Sequence, residues 1–243
     1  MAVKLTTTAQ AARDNGLKLL VHGPAGSGKT ALCATTGEPT VIISAEAGLL
    51  SLRGHDIPVI EVASIEDVHD AYRFVTESAE AESFAWVCLD SISEIAEVCL
   101  AREKANAKDP RQAYSALADH MGQLIRAFRD LPGRNVYFSC KQARQQDQAT
   151  GATLYFPSLP GQMLGQGIAY YFDLVMALRV EPDGEGKPTR WLQTGRDFTH
   201  EAKDRSGALD MFEPPDLAAI ARKVRANVPH AVAAPALAAA VQE

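Results

Sequence analysis

Eight consecutive residues, GPAGSGKT from Gly23 to Thr30, have the composition needed to hold a polyphosphate through main-chain nitrogens. Phosphates carry dense negative charge, and successive backbone N–H groups at a helix N-terminus surround them only where side chains do not intrude. Gly23, Gly26 and Gly28 supply that freedom, with Pro24, Ala25 and Ser27 between them. The Lys29 ammonium is spaced to reach the β- and γ-phosphates, and the Thr30 hydroxyl, followed by Ala31, is placed to ligate Mg²⁺. The chemistry is that of an ATP or GTP site; a simple glycine-rich turn is the competing reading, and the flanking strand and helix signals argue against it.

Mg²⁺ also takes a carboxylate, reached through water, from the C-terminal end of an adjacent buried strand. Asp90 closes the apolar run at 85–89 and has that place, although an Asp or the following Ser91 there also suits a helix cap. Hydrolysis further asks for a group that orients and deprotonates water, and ligands of open α/β sheets lie beyond the carboxyl ends of the strands. Glu46 stands just past the β-branched run TVIIS, where a solvated loop glutamate is the rival reading. The six histidines show no HExxH spacing and the four cysteines (33, 88, 99 and 140) no CxxC pair, so no zinc site is expected and the thiols are expected to be reduced and structural.

The elements that must position these groups follow from the apolar pattern. Residues 17–21 form a buried strand that feeds the loop, and a helix is expected from Lys29 to Thr35, stopped by Gly37 and Pro39. Further strands are expected at 40–44, 57–62, 85–89 and 135–140, and helices from Ser64 (capped with Asp67) to about 81, on both sides of Asp109-Pro110, and at 216–225. Residues 141–167 lose periodicity and are expected to be structureless, and so either functional or disordered. Runs at 172–180 and 190–194, joined across EPDGEGKP, are expected to pair antiparallel. Strands alternating with helices specify a mainly parallel sheet with helices on both faces.

The chain has 243 residues, enough for one well-buried α/β core. Its net charge of -6 argues against a broadly basic nucleic-acid binder, so any such surface is local. With no apolar run near the roughly 18 residues of a membrane span and no secretory leader, a cytoplasmic location is expected. Residues 1–16 read as a polar leader, 17–225 as the core, and 226–243 as an Ala/Pro-rich tail with little to bury.

GPAGSGKT, IISAEAG around Glu46 and WVCLDS around Asp90 together resemble the RecA-like ATPase core. DLPGRNVYFSCKQ, FPSLPGQMLG, YYFDLVMALRV and EAKDRSGALDMFEPPDLAAI further resemble the compact phage-encoded members of that superfamily, the RecA-like single-strand annealing proteins of phage recombination. The resemblance covers residues 17 to about 225. It implies an α/β RecA-like P-loop NTPase with a twisted, mainly parallel sheet and an antiparallel C-terminal edge, with Glu46 as catalytic base. It also implies a γ-phosphate sensor at Lys141 or Gln142, leading into a DNA-binding loop with Arg144, Tyr155 and Phe156, where cationic and aromatic groups meet phosphates and stacked bases. EAKDRSG resembles the KxRxG element of hexameric RecA-like helicases, in which Lys203 and Arg205 would reach a neighbouring subunit's ATP.

The implied partners are ATP, Mg²⁺, single-stranded DNA, further copies of the chain in a ring or filament, and a single-stranded DNA-binding protein. The implied activity is DNA-dependent ATP hydrolysis coupled to strand annealing in a bacterial host cytoplasm. A hexameric helicase-type motor and a small-molecule phosphotransferase are the alternatives; the second needs an arginine-rich lid, and 141–167 holds only Arg144.

Overall fold

Strand β1 (Lys18–Gly23) is buried at every position, as are β2 (Thr40–Ser44) and β4 (Trp86–Asp90). Strands covered on both faces have no solvent side to mark with polar residues, so they read as nearly unbroken apolar runs. The computed structural model describes residues 5–8, 10, 15–46, 48–146, 148 and 151–227. Residues 228–243 of the expected tail, and 1–4, 9 and 11–14 of the expected leader, lie outside the described residues.

The remaining strands are β3 (Val59–Glu61), β5 (Asn135–Gln146), β6 (Thr153–Ser158), β7 (Leu174–Pro182), β8 (Pro188–Gln193), β9 (Lys203–Asp204) and β10 (Phe212–Glu213). All belong to one sheet with the order β10-β8-β7-β1-β5-β4-β2-β3, β6 adding to β5 and β9 to β7. The pairs from β7 through β1, β5, β4 and β2 to β3 are parallel. The β7–β8, β8–β10, β7–β9 and β5–β6 pairs are antiparallel, so the fold is mixed α/β with antiparallel edge strands, as expected.

Helices α1 (Ile65–Glu77), α2 (Ile92–Asn106) and α3 (Pro110–Arg129) pack on one face, where Val68, Ile95, Ile125 and Phe128 meet Val87, Leu89 and Phe138 of the sheet. The opposite face is covered by a 3-10 helix at Thr30–Thr35 and by α5 (Leu217–Ala226), which close over Val21, Ile42, Cys88 and Tyr137. A short α4 (Gln162–Gly167) follows β6. Capping sets the helix starts: the Ser64 hydroxyl accepts from the Asp67 N–H while the Asp67 carboxylate accepts from the Ser64 N–H, satisfying two donors that the first turn leaves open. All four cysteines are free and buried.

Three expectations need correction. Residues 30–35 form a 3-10 turn in place of the expected α-helix. The helix after Ser64 ends at Glu77, and Ala79–Ser83 is a separate 3-10 turn. Residues 141–167 are not structureless: β5 runs on to Gln146 and turns back as β6, with Lys141 opposite Ser158 and Gln146 opposite Thr153. Backbone pairing supplies that order, which is why a polar stretch without apolar alternation gave no warning of it.

Candidate active site

The C-terminal ends of β1, β2 and β4 bring the loop, Glu46 and Asp90 to one edge of the sheet. Gly26 and Gly28 have φ of 72° and 108°, a region that side chains disfavour, so the loop's path requires glycine at both. Ser27 is 1% exposed, and its buried hydroxyl oxygen has no hydrogen-bond partner among the described residues. The Tyr137 hydroxyl, fully buried in β5, donates to the Lys29 carbonyl at 2.8 Å and fixes where the loop enters its 3-10 turn.

Lys29 donates to the carbonyls of Gly23 (2.9 Å) and Pro24 (3.0 Å). Burial lowers its pKa, and Glu46 and Asp90 oppose that shift, so both carboxylates act on this ammonium. Asp90 is 1% exposed; it accepts from the Thr30 hydroxyl at 2.7 Å through one oxygen and from the Ser139 hydroxyl through the other. A hydroxyl oxygen and a carboxylate in contact are the hard donors that Mg²⁺ selects, so Thr30 and Asp90 fit that ion. Glu46 lies exposed just beyond β2, where its carboxylate accepts from the Ser91 hydroxyl, and the neighbouring Ala45 N–H donates to the Asp90 carbonyl at 2.8 Å. The two acids are therefore tied together by residues 90 and 91.

The two sensor candidates have different surroundings. Lys141 is held by Glu94 (2.8 Å) and Glu97 (2.9 Å) of α2. Burial lowers its pKa, but the hydrogen bonds to these two acids outweigh it and carry the group above the usual lysine range. The Gln142 amide instead lies 3.1 Å from Nδ1 of His22, the residue before Gly23. His22 is 0% exposed, its Nε2 stands 2.8 Å from the Glu201 carbonyl, and burial pushes its pKa down to about 4. A neutral imidazole has one N–H; it donates to Glu201 through Nε2, and Nδ1 accepts when Gln142 presents its NH₂ end.

The other expected residues stand elsewhere. Arg144 is exposed on β5 opposite Tyr155, and Phe156 faces Ala143. The Tyr155 ring is stacked on His200 at 4.7 Å and 16°, so one of its faces is taken, and Phe156 lines a cavity of about 190 Å³ with Leu154 and His200. Lys203 pairs with Val175, and the Arg205 N–H donates to the Asp173 carbonyl at 3.1 Å. Since Leu174 sits beside Leu19, these cations lie by the start of β1, whereas the loop leaves its end. At about 3.3 Å per residue the offset from Leu19 to Gly23 is on the order of 13 Å.

Sequence reasoning missed His22, Tyr137, Ser139 and Arg190, the last of which donates from Nε to the Ser27 carbonyl at 2.8 Å. A signal existed only for Tyr137 and Ser139: polar side chains two apart in an otherwise apolar strand share one face. No helix among the described residues is long and apolar enough to cross a membrane.

A family model described as an AAA domain matches residues 15–206. No curated protein matches the chain. Among solved structures it is similar to the RadB recombinase, at 16% identity over 79% of this chain and 92% of that one, with a TM-score of 0.42, too slight a likeness to carry an argument. The phosphate loop, its acids and the strands that hold them all fall within the matched span, and the chain belongs to the AAA domain family.

Proposed function

We propose that this chain is a RecA-like ATPase that hydrolyses ATP with Mg²⁺ and, as an oligomer, binds single-stranded DNA and promotes its annealing in recombination, in the manner of the phage proteins its motifs resemble. The observation that carries the proposal is the course of β5. One unbroken strand passes Ser139 on Asp90, then Gln142 on His22, and continues into the hairpin with exposed Arg144. A change at the γ-phosphate has a direct mechanical path to that hairpin.

In this reading Lys29 leaves the Gly23 and Pro24 carbonyls for the β- and γ-phosphates, and Thr30 and Asp90 hold the cation. An Mg²⁺ held by these two residues would supply charge neutralisation at the transferred phosphoryl group. Glu46, oriented by Ser91, takes the proton of the attacking water. Gln142 senses the γ-phosphate, because Lys141 is already held by two acids. Lys203 and Arg205, placed by the start of β1 and remote from their own loop, leave Ala169 and Asp173 to complete a neighbour's site, which makes turnover depend on assembly. The same placement of Lys203 and Arg205 suits a hexameric motor, and directional unwinding of duplex DNA would select that reading.

The test is ATP turnover with and without single-stranded oligonucleotide over a range of protein concentrations. Stimulation by DNA with a concentration threshold is the expected result. Turnover indifferent to both overturns the DNA and assembly roles, and absence of turnover overturns catalysis. Glu46→Gln is expected to lower turnover roughly a hundredfold with ATP binding retained; equal rates remove Glu46 from the base role.

A further inference from the structure

The phosphate loop has a second cation beside it that no sequence motif marks. Arg190 projects from β8, and its Nε donates to the Ser27 carbonyl at 2.8 Å. A Cβ built on Gly28 would lie 3.5 Å from that Nε and 3.7 Å from the arginine Cδ, so the side chain runs directly along the loop backbone. Neither terminal guanidinium nitrogen has a hydrogen-bond partner among the described residues. The fork that recognises phosphate oxygens in pairs is thus held at the loop by Nε with its outer donors free.

The strand order fixes which flank this is. β8 lies two strands from β1 on one side, through β7, and β4 with Asp90 lies two strands away on the other, through β5. Thr30 and Asp90 occupy the cation side of the loop. Arg190 stands on the opposite side, where the part of a nucleotide remote from the transferred phosphate must lie. Lys29 and a divalent ion leave part of a triphosphate's charge uncompensated, and an arginine at this flank meets the remainder.

We infer that Arg190 is a nucleotide-binding residue supplied by the same chain, contacting the α- and β-phosphates that ADP and ATP share. The inference rests on the loop being a nucleotide site. Arg190→Ala is expected to weaken binding of a fluorescent ADP and of ATP alike, by roughly tenfold at low salt. The deficit shrinks as salt rises, because an exposed charge is screened.

A brace for the Ser27 carbonyl alone would behave differently. Arg190→Gln keeps an N–H donor but no charge; if it restores wild-type affinity, Arg190 only supports the loop and the inference fails. If it binds as weakly as Arg190→Ala while Arg190→Lys recovers part of the loss, the phosphate contact stands. Arg190 is exposed, so ligand-free melting temperatures are expected to be unchanged in all three variants. Wild-type protein that binds neither nucleotide overturns the loop reading itself; wild-type binding with an equal Arg190→Ala overturns only this inference.

Discussion

The phosphate site and the β5–β6 hairpin lie on the same strand, yet they are built in opposite ways. Around the loop, the Ser27 hydroxyl apart, polar groups that are buried or half-buried engage one another: Asp90 with Thr30 and Ser139, His22 with Gln142 and Glu201, and Tyr137 with Lys29. Along the hairpin, Arg144, Gln145 and Gln146 are exposed, and order comes from backbone pairing, a stacked ring pair and the Gln146 amide donating to the Gly151 carbonyl at 3.2 Å. Buried polar groups are costly unless satisfied, so the first region is sensitive to the loss of any one partner, while the exposed side chains of the second can be replaced at little cost to stability. In the first region the acids are preset by hydroxyl donors, and in the second the polar side chains stand exposed.

Three experiments probe that contrast. The largest effect is expected at His22, which joins the two regions. Unfolded, it titrates near its ordinary 6.5, and folded near 4, so between these values the folded chain binds fewer protons and stability rises with pH. At about 1.4 kcal/mol per unit, acidification through that window removes about 3 kcal/mol from the wild type, and below about 4 nothing further is lost through this group. Denaturant melts across the window are expected to show a steeper slope in the wild type than in His22→Gln, where His200, also held below its ordinary value by burial, keeps its own share; parallel slopes would break the link between the regions.

Next comes Ser139→Ala, which leaves a buried Asp90 oxygen without its donor. A stability loss of about 1–3 kcal/mol is expected, with more Mg²⁺ needed for half-maximal turnover. If melting and Mg²⁺ dependence both match the wild type, the acids are not preset in the way the contrast requires. Smallest is Arg144→Ala on the hairpin, with unchanged melting and an oligonucleotide affinity reduced by less than about tenfold, accompanied by a shallower salt dependence. Unaltered affinity and salt slope would place the DNA surface elsewhere.

How much of this was legible varies with the range of the interactions. Gly23 to Thr30 was legible because the constraint is local: two glycines need positive φ, and a lysine and a threonine must follow at once. Asp90 and Glu46 were legible as strand ends, although their hydroxyl partners were not. The hairpin was misjudged because CKQARQQ has no alternation, and its pairing with LYFP depends on which strands already flank β5.

The phosphate loop, the parallel core and its antiparallel edge are written locally in the chain, since they follow from backbone freedom, apolar runs and turn residues acting over a few positions. That Ser139 holds Asp90, that His22 meets Gln142 and Glu201, and that Arg190 reaches Ser27 emerges with the folded sheet alone. These contacts join residues 49, 120, 179 and 163 positions apart. A side chain's local neighbours say nothing of such partners, because strand order, not sequence spacing, brings them within hydrogen-bond reach.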